Sequence, residues 1–224
     1  MSTKNTNLEP EVNVEEALSK TEKFFTTYKN HIVYGTAAVV AVVAAFLLYH
    51  NFVTLPAQQE AMGQTFTAEQ YFRSGEFEKA LNGDGNALGF NQIIDEYGTK
   101  SGEAVYFYAG VCNLQLGNFQ EAINNLKKYN GKDEILAARA LACIGDAQAS
   151  LNDLAAAISS YKAAAAKADN VLAASYMLKA GILLEETGKA DEALKIYEEI
   201  KTKYPATPEG NEINKYISRI NNAK

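Results

Sequence analysis

The longest uninterrupted apolar stretch of the chain runs from Ile32 to Val53, and no charged residue, proline or amide side chain occurs between Ile32 and Tyr49. As a helix with a rise of about 1.5 Å per residue, these 22 residues would be roughly 33 Å long, which matches the roughly 30 Å hydrocarbon core of a bilayer. A core helix of a soluble domain keeps a polar stripe that faces water, and this stretch has none. The pattern therefore predicts a transmembrane helix over residues 32–53.

Basic residues on the two sides of this stretch predict its orientation. On the amino-terminal side, three lysines lie within about 15 residues of it: Lys20, Lys23 and Lys29. On the carboxyl-terminal side the first basic residue is Arg73. Because basic flanks stay in the cytoplasm, the amino terminus is predicted to be cytoplasmic and residues 54–224 to lie across the membrane. The small residues after Leu55 leave cleavage as an alternative to an uncleaved anchor.

The leader before the span, residues 1–31, contains a second pattern. Apolar residues recur at helical spacing between charged ones, which predicts an amphipathic helix over residues 14–29. One role for this helix is to lie along the inner membrane surface, and another is to act as a cytoplasmic docking or degradation signal. The predicted membrane-interface residues are Phe24, Phe25, Tyr34 and Tyr49.

Composition narrows the role of the remaining chain. About 170 of the 224 residues lie beyond the span, enough for one domain. The net charge is −6, and because the leader has four lysines and five glutamates, −5 of it lies beyond the span. Without a basic cluster, binding to nucleic acid is excluded. Cys112 and Cys143 have apolar neighbours at helical spacing and are interpreted as small buried side chains, with a disulfide as the alternative in an oxidising compartment.

Beyond the span the residues recur with a period of about 35. The clearest unit, residues 174–207, carries small, turn-forming and aromatic residues in a fixed order: Gly181, Leu184, Gly188, Ala193, Tyr197 and Pro205. This order resembles the tetratricopeptide repeat (TPR), a pair of antiparallel helices. In such a unit Gly181 lies where the helices cross, Gly188 ends the first helix, and Tyr197 fills the space between the two.

Three further units precede this one, at residues 138–173, 103–137 and, in degenerate form, about 61–102. Asn152 replaces the turn glycine in the first of them, and the loop at residues 82–86 interrupts the degenerate one. The tail 209–222 has isoleucines at helical spacing and is predicted to close the stack. The predicted fold is all-α, with one N-terminal transmembrane helix followed by a TPR α-solenoid and its closing helix.

Residues capable of catalysis do not converge in this sequence. The only two histidines, His31 and His50, would lie roughly 28 Å apart in one helix, too far to share a metal ion. The loop at residues 82–86 lacks the later glutamate of an EF-hand and is interpreted as a tight loop. No phosphate loop, nucleophile elbow or metal-binding helix motif occurs. We therefore predict that the protein is not an enzyme and that it binds no cofactor or metal.

The TPR resemblance also implies a binding groove lined by the first helix of each pair. Carried onto the matching positions, the groove residues are Phe107, Val111, Leu114, Gln115, Arg139, Asp146, Leu178, Ile182 and Glu185. This set lacks the cluster of lysines and arginines with which co-chaperone TPRs hold a partner's terminal carboxylate. Two occupants remain open, an apolar peptide or helix of a partner, or a helix of the same chain such as 213–220.

The order of parts resembles the YfgM-like family of bacterial ancillary SecYEG-translocon subunits. The shared features are a short leader with Lys23-Phe24-Phe25, one span and a small TPR domain, and the loop insertion at residues 82–89 departs from them. The resemblance implies an inner-membrane protein whose periplasmic TPR domain contacts translocon subunits, emerging polypeptides or chaperones. An envelope-assembly scaffold, for outer-membrane proteins or the cell wall, and a structural homo-oligomer are the alternative hypotheses.

Overall fold

The computed structural model describes residues 14–222, and within them every regular element is a helix. The chain divides into two compact units that meet in sequence at Leu55 and Pro56. The first thirteen residues of the predicted leader lie outside the described residues. The all-α prediction is confirmed.

The first unit contains one long helix, α1 (Val14–Tyr49), and a five-residue π-helical segment, His50–Thr54. The predicted amphipathic helix and residues 32–49 of the predicted span are therefore parts of one α-helix, and the span ends in the π-helical segment. Its large apolar side chains, from Phe24 to Val53, are exposed. The helical stretch Glu22–Arg73 is the one among the described residues that is long and apolar enough to cross a bilayer. By length and composition it fits either a membrane span or a signal sequence.

The second unit contains ten helices within the described residues. In chain order they are α2 (Leu55–Arg73), α3 (Phe77–Asn82), α4 (Phe90–Tyr97), α5 (Ala104–Gln115), α6 (Phe119–Leu126), α7 (Glu134–Ser150), α8 (Leu154–Ala168), α9 (Val171–Glu186), α10 (Ala190–Lys203) and α11 (Pro208–Asn222). A short 3-10 helix, Gly98–Ser101, precedes α5. The three clear repeats form the pairs α5/α6, α7/α8 and α9/α10, as predicted, and each pair packs on the next.

Apolar layers are shared between neighbouring pairs. Phe107 of α5 and Leu126 of α6 pack with Ile144 of α7. Further along, Ile158 of α8 belongs to the same cluster as Ile213 of α11. Because each pair covers part of the next, the repeats are stable only as a stack, as expected for a solenoid.

The turns inside the pairs use residues that tolerate left-handed backbone. Gly117 has φ +82°, Gly188 has φ +76°, and Asn152, in the matching turn of the middle pair, has φ +62°. Glycine adopts this conformation without steric cost, and asparagine does so more readily than most residues. The sequence-based interpretation of Asn152 as the substitute turn residue is confirmed.

The two helices of a pair cross where a glycine faces a large side chain. A Cβ atom at Gly181 would lie 2.3 Å from the Tyr197 ring, and one at Gly145 would lie 2.7 Å from the Tyr161 ring. These separations are well inside van der Waals contact, so only glycine allows the aromatic ring to fill the crossing. The predicted roles of Gly181 and Tyr197 are confirmed.

The amino-terminal repeat is irregular, as its sequence indicates. The short helix α3 is followed by a loop in which Asp84 caps its own turn, accepting hydrogen bonds from the backbone N–H groups of Asn86 and Ala87 and from the Tyr71 hydroxyl. The Tyr71 and backbone hydrogen bonds hold the pKa of Asp84 at about 2. The carboxylate is thus already occupied by donors of the loop and of α2.

The carboxyl-terminal helix α11 closes the stack. Ile213, Ile217 and Ile220 point into the cluster formed with α9 and α10. Polar residues such as Glu209, Glu212 and Lys215 occupy other positions along the helix, with Glu212 and Lys215 forming an ion pair. A terminal helix with one apolar and one polar face covers the last repeat and leaves a surface compatible with water. The predicted closing helix is confirmed.

We predict that Gly181→Ala lowers the free energy of unfolding by about 1–3 kcal/mol, because the added methyl group overlaps the Tyr197 ring. The matched control is Gly63→Ala in α2, where a Cβ meets no atom within 4 Å and alanine favours the helix by about 0.5–1 kcal/mol. Urea unfolding of the full chain, followed by circular dichroism, measures both changes. Equal stabilities for the two variants would contradict the close crossing.

Candidate protein-binding face

The first helices of successive pairs lie side by side and share one surface. The α5 helix contacts α7, and α9 contacts α11. Between α7 and α9, the Lys179 ammonium lies 2.6 Å from the Asp146 carboxylate. We call the surface formed by the exposed and half-buried side chains of α5, α7, α9 and α11 the first-helix face. In TPR solenoids this is the surface available for binding.

The structure corrects one predicted groove residue. Phe107 is only 3% exposed and packs between α5, α6 and α7, beside Leu126 and Ile144. Its ring lies 5.9 Å from the Tyr129 ring, centroid to centroid. The TPR resemblance predicted that Phe107 lies on the surface, but in the structure α6 and α7 cover the side of α5 that carries it. Phe107 therefore stabilises the stack and is not accessible to a partner.

The other apolar groove residues are partly covered by the same chain. Val111 and Leu114 are half-buried against the α5–α7 cluster, and Leu178 against the cluster that includes α11. The cluster next to Leu178 contains isoleucines of α11 together with residues of α8, α9 and α10. Gln115 is exposed, and Ile182 is half-exposed on α9.

Asp146 is the centre of a network that joins two repeats. Its Oδ1 atom accepts hydrogen bonds from the Tyr161 hydroxyl and from Lys179 Nζ, each at 2.6 Å. Lys179 Nζ also lies 5.5 Å from the centroid of the Tyr161 ring. Burial and the bond to Asp146 raise the pKa of the Tyr161 hydroxyl. We call Asp146, Tyr161 and Lys179 the Asp146 network.

Glu185 forms an equivalent network one repeat later. Its Oε2 atom accepts from the Tyr197 hydroxyl at 2.6 Å and from Arg219 Nη2 at 2.5 Å, while Oε1 accepts from Arg219 Nε at 3.1 Å. The Arg219 guanidinium therefore holds the carboxylate with two bonds, the strong geometry for this pair. We call these three residues the Glu185 network. It connects α9, α10 and the closing helix.

Burial alone would raise the pKa of Glu185, but the hydrogen bonds from Arg219 and Tyr197 outweigh it and leave the pKa below the ordinary value of 4.5. Burial and the bond to Glu185 raise the pKa of Tyr197. Asp146 and Glu185 were both predicted to contact a partner. In the structure Oδ1 of Asp146 and both carboxylate oxygens of Glu185 accept hydrogen bonds from side chains of the same chain.

Sequence reasoning missed Lys179 and Arg219 as components of this face. The sequence spacing of the two ion pairs is an indication of them. Lys179 follows Asp146 by 33 residues and Arg219 follows Glu185 by 34, about one repeat in each case. A carboxylate on one first helix and a cation on the next can meet only when the helices stack in register. Recognising the pairs therefore requires the fold.

Arg139 differs from Lys179 and Arg219, the cations of the two networks. Its side chain is exposed on α7, and within residues 14–222 it makes no hydrogen bond or ion pair. It lies two turns before Asp146 on the same side of the helix. Burial raises the pKa of the Tyr176 hydroxyl on α9, and the positive charge of Arg139 on the neighbouring first helix α7 opposes this shift. Among the predicted groove residues, Arg139 and Gln115 are exposed and Ile182 is half-exposed.

The two cysteines are free thiols that lie among apolar neighbours, Cys112 buried and Cys143 half-buried. Burial raises their pKa values to about 12 and about 11, respectively, so both thiols stay protonated at neutral pH. The described part of the chain contains no group of three or more histidine, cysteine or acidic side chains that could hold a metal ion.

These features define an all-α helical-repeat fold of the TPR type. Comparison with known proteins agrees with this class: residues 136–208 match the tetratricopeptide repeat family. Two crystal structures of MamA resemble the fold. One has a TM-score of 0.52 at 20% identity and covers 69% of this chain and 92% of MamA. The other has a TM-score of 0.53 at 19% identity, with 73% and 90% covered. No curated protein sequence matches significantly.

We predict that acid weakens the stack partly through Glu185. Since its pKa is lowered by folding, the unfolded chain binds its proton more readily, and the stabilisation present above about pH 4.5 is lost as the pH falls through the folded value. Glu185→Gln removes this part of the pH dependence, whereas the exposed neighbour control Glu186→Gln keeps it. Urea unfolding between pH 7 and pH 3.5 measures the difference. Parallel profiles for the wild type and Glu185→Gln would contradict the network.

Proposed function

We propose that this protein is a membrane-anchored, non-enzymatic adaptor that binds other polypeptides on its first-helix face. The observation that carries the proposal is the arrangement of that face. Two of its carboxylates, Asp146 and Glu185, are held by tyrosines and cations of the same chain. On the same face, the side chain of Arg139 is exposed and that of Ile182 is half-exposed. TPR folds generally act as scaffolds for protein–protein contact, and the match at residues 136–208 supports that role here.

The anchor in this proposal is the apolar segment at residues 32–53, which crosses the bacterial inner membrane as an uncleaved span. The exposed apolar surface of α1 supports it, because such a surface is stable in lipid. The lysines before the segment favour a cytoplasmic amino terminus and a periplasmic repeat unit. Phe24, Phe25, Tyr34 and Tyr49 are all exposed and suited to the two membrane interfaces. The Phe24 and Tyr28 rings are tilted against each other, with their centroids 4.9 Å apart.

The partners in this proposal are proteins of the Sec export route, meaning translocon subunits, emerging polypeptides or periplasmic chaperones. The resemblance in the order of parts to YfgM-like translocon subunits supports this choice. An unfolded polypeptide leaving the translocon exposes apolar side chains, and the half-exposed Ile182 lies among charges that are already paired. Such a surface favours contact with the polypeptide through shape complementarity and buried apolar area.

Site-specific photo-cross-linking in native membranes tests this proposal. A photoreactive residue at position 182 reports on the first-helix face, and the same residue at position 195, an exposed lysine on α10, is the matched control for the outer side. Cross-linked peptides are identified by mass spectrometry. We expect adducts with translocon subunits or exported polypeptides from position 182, and few from position 195.

The remaining outcomes contradict the proposal in different ways. Adducts only with β-barrel or cell-wall machinery would replace the translocon role by that of an envelope-assembly scaffold. Adducts only with a second copy of the chain would replace it by a homo-oligomer. Equal labelling from positions 182 and 195 would show that the first-helix face is not the binding surface.

A further inference from the structure

The cation Arg139 has a distinct environment on the first-helix face. The other cations there, Lys179, Lys215 and Arg219, are each paired with a carboxylate of the same chain. Arg139 shares their side of the stack but makes no ion pair or hydrogen bond within the described residues 14–222. A guanidinium group has five donors in a planar fork and binds carboxylates in two-bond geometry, so this group is chemically suited to an acidic ligand.

Apolar side chains flank this cation. Ile135, one turn before Arg139 on α7, is 53% exposed, and Leu172, one turn before Tyr176 on α9, is 39% exposed. Residues four apart lie on the same side of a helix. Arg139 and Tyr176 are therefore bordered, toward the amino ends of α7 and α9, by two large side chains that the chain leaves in water. Cys143 lies one turn after Arg139 and is half-buried and uncharged at neutral pH.

The charge of the surroundings restricts the ligand to one acidic group. Each network on this face contains one carboxylate and one cation and is neutral overall, while the chain carries a net charge of −6. A run of acidic residues would be repelled by the rest of the protein. One carboxylate placed on Arg139, with an apolar neighbour against Ile135 or Leu172, satisfies both the charge and the exposed apolar surface.

We propose that Arg139 and Tyr176 recognise a single aspartate or glutamate side chain, next to an apolar residue, in a polypeptide bound to the first-helix face. The Arg139 guanidinium donates to the carboxylate, and the half-buried Tyr176 is part of the same face on the adjacent helix α9. The apolar neighbour covers Ile135 and Leu172. This inference rests on the proposed function, since it specifies which polypeptide segments the adaptor selects.

Selection from a random twelve-residue peptide library displayed on phage tests the inference with the full-length protein in detergent. The peptides are fused to the coat protein through their carboxyl ends, so that only side-chain carboxylates are presented. We expect the wild type to enrich one Asp or Glu beside a large apolar residue, and Arg139→Glu to enrich Lys or Arg at that place. The matched control is Lys195→Glu on α10, which makes the same charge change away from the face and keeps the wild-type preference.

A selected peptide, synthesised with blocked ends and a fluorescent label, gives the magnitude. Fluorescence anisotropy should show an affinity about five- to tenfold lower for Arg139→Gln than for the wild type, consistent with the loss of one surface charge-assisted contact. The same loss should follow when the acidic residue of the peptide is changed to its amide. Circular dichroism of Arg139→Gln should match the wild type because the side chain is exposed.

Two failures are distinguishable. Peptides that bind the wild type without acidic enrichment, or that bind Arg139→Glu and the wild type equally, would overturn the role of Arg139 and leave the adaptor function standing. A shift of preference in Lys195→Glu equal to that in Arg139→Glu would overturn it too, since the effect would then come from net charge. Enrichment of no peptide by any variant would contradict both the inference and the proposed function.

Discussion

Each of the last two repeats depends on a tyrosine that crosses from the second helix to the first. The ring fills the space above a glycine, Gly145 or Gly181, and the hydroxyl ends on a carboxylate of the first helix at 2.6 Å. The same carboxylate accepts a hydrogen bond from a cation of the following first helix. One tyrosine thus fixes the packing within a helix pair. It also positions the carboxylate that bonds to the next first helix. The register of α7, α9 and α11 on this face follows from this arrangement.

This arrangement also decides which groups of the first-helix face can bind another molecule. Because Asp146 and Glu185 are already hydrogen-bonded, they contribute to the stability of the stack, and their paired charges present little net field. The accessible chemistry is then a half-exposed apolar residue, Ile182, and a guanidinium without a partner among the described residues, Arg139. Rigid neutral networks around a small number of available groups suit a surface that discriminates between polypeptides.

The sequence was sufficient to predict the features that are local. Gly188 and Asn152 mark turns, the isoleucines of α11 mark a closing helix, and the Gly181–Tyr197 pair marks a close crossing, because each depends on backbone conformation or helical period. The charge networks depend on residues about one repeat apart that meet only after the helices stack. Phe107 was misplaced for the same reason, since its burial is set by how far α7 overlaps α5. Sequence patterns give periodicity, and the amount of overlap is a property of packing.

The claim that these networks align the repeats is tested most directly by a double-mutant cycle across Asp146 and Lys179, using urea unfolding of the full chain. The variants are Asp146→Asn, Lys179→Gln and the pair together. Because both side chains are partly exposed, we expect a coupling free energy of about 0.5–1 kcal/mol. Additive effects of the two substitutions would show that the pair lies on the surface without joining the repeats, and the account of the first-helix face would be wrong.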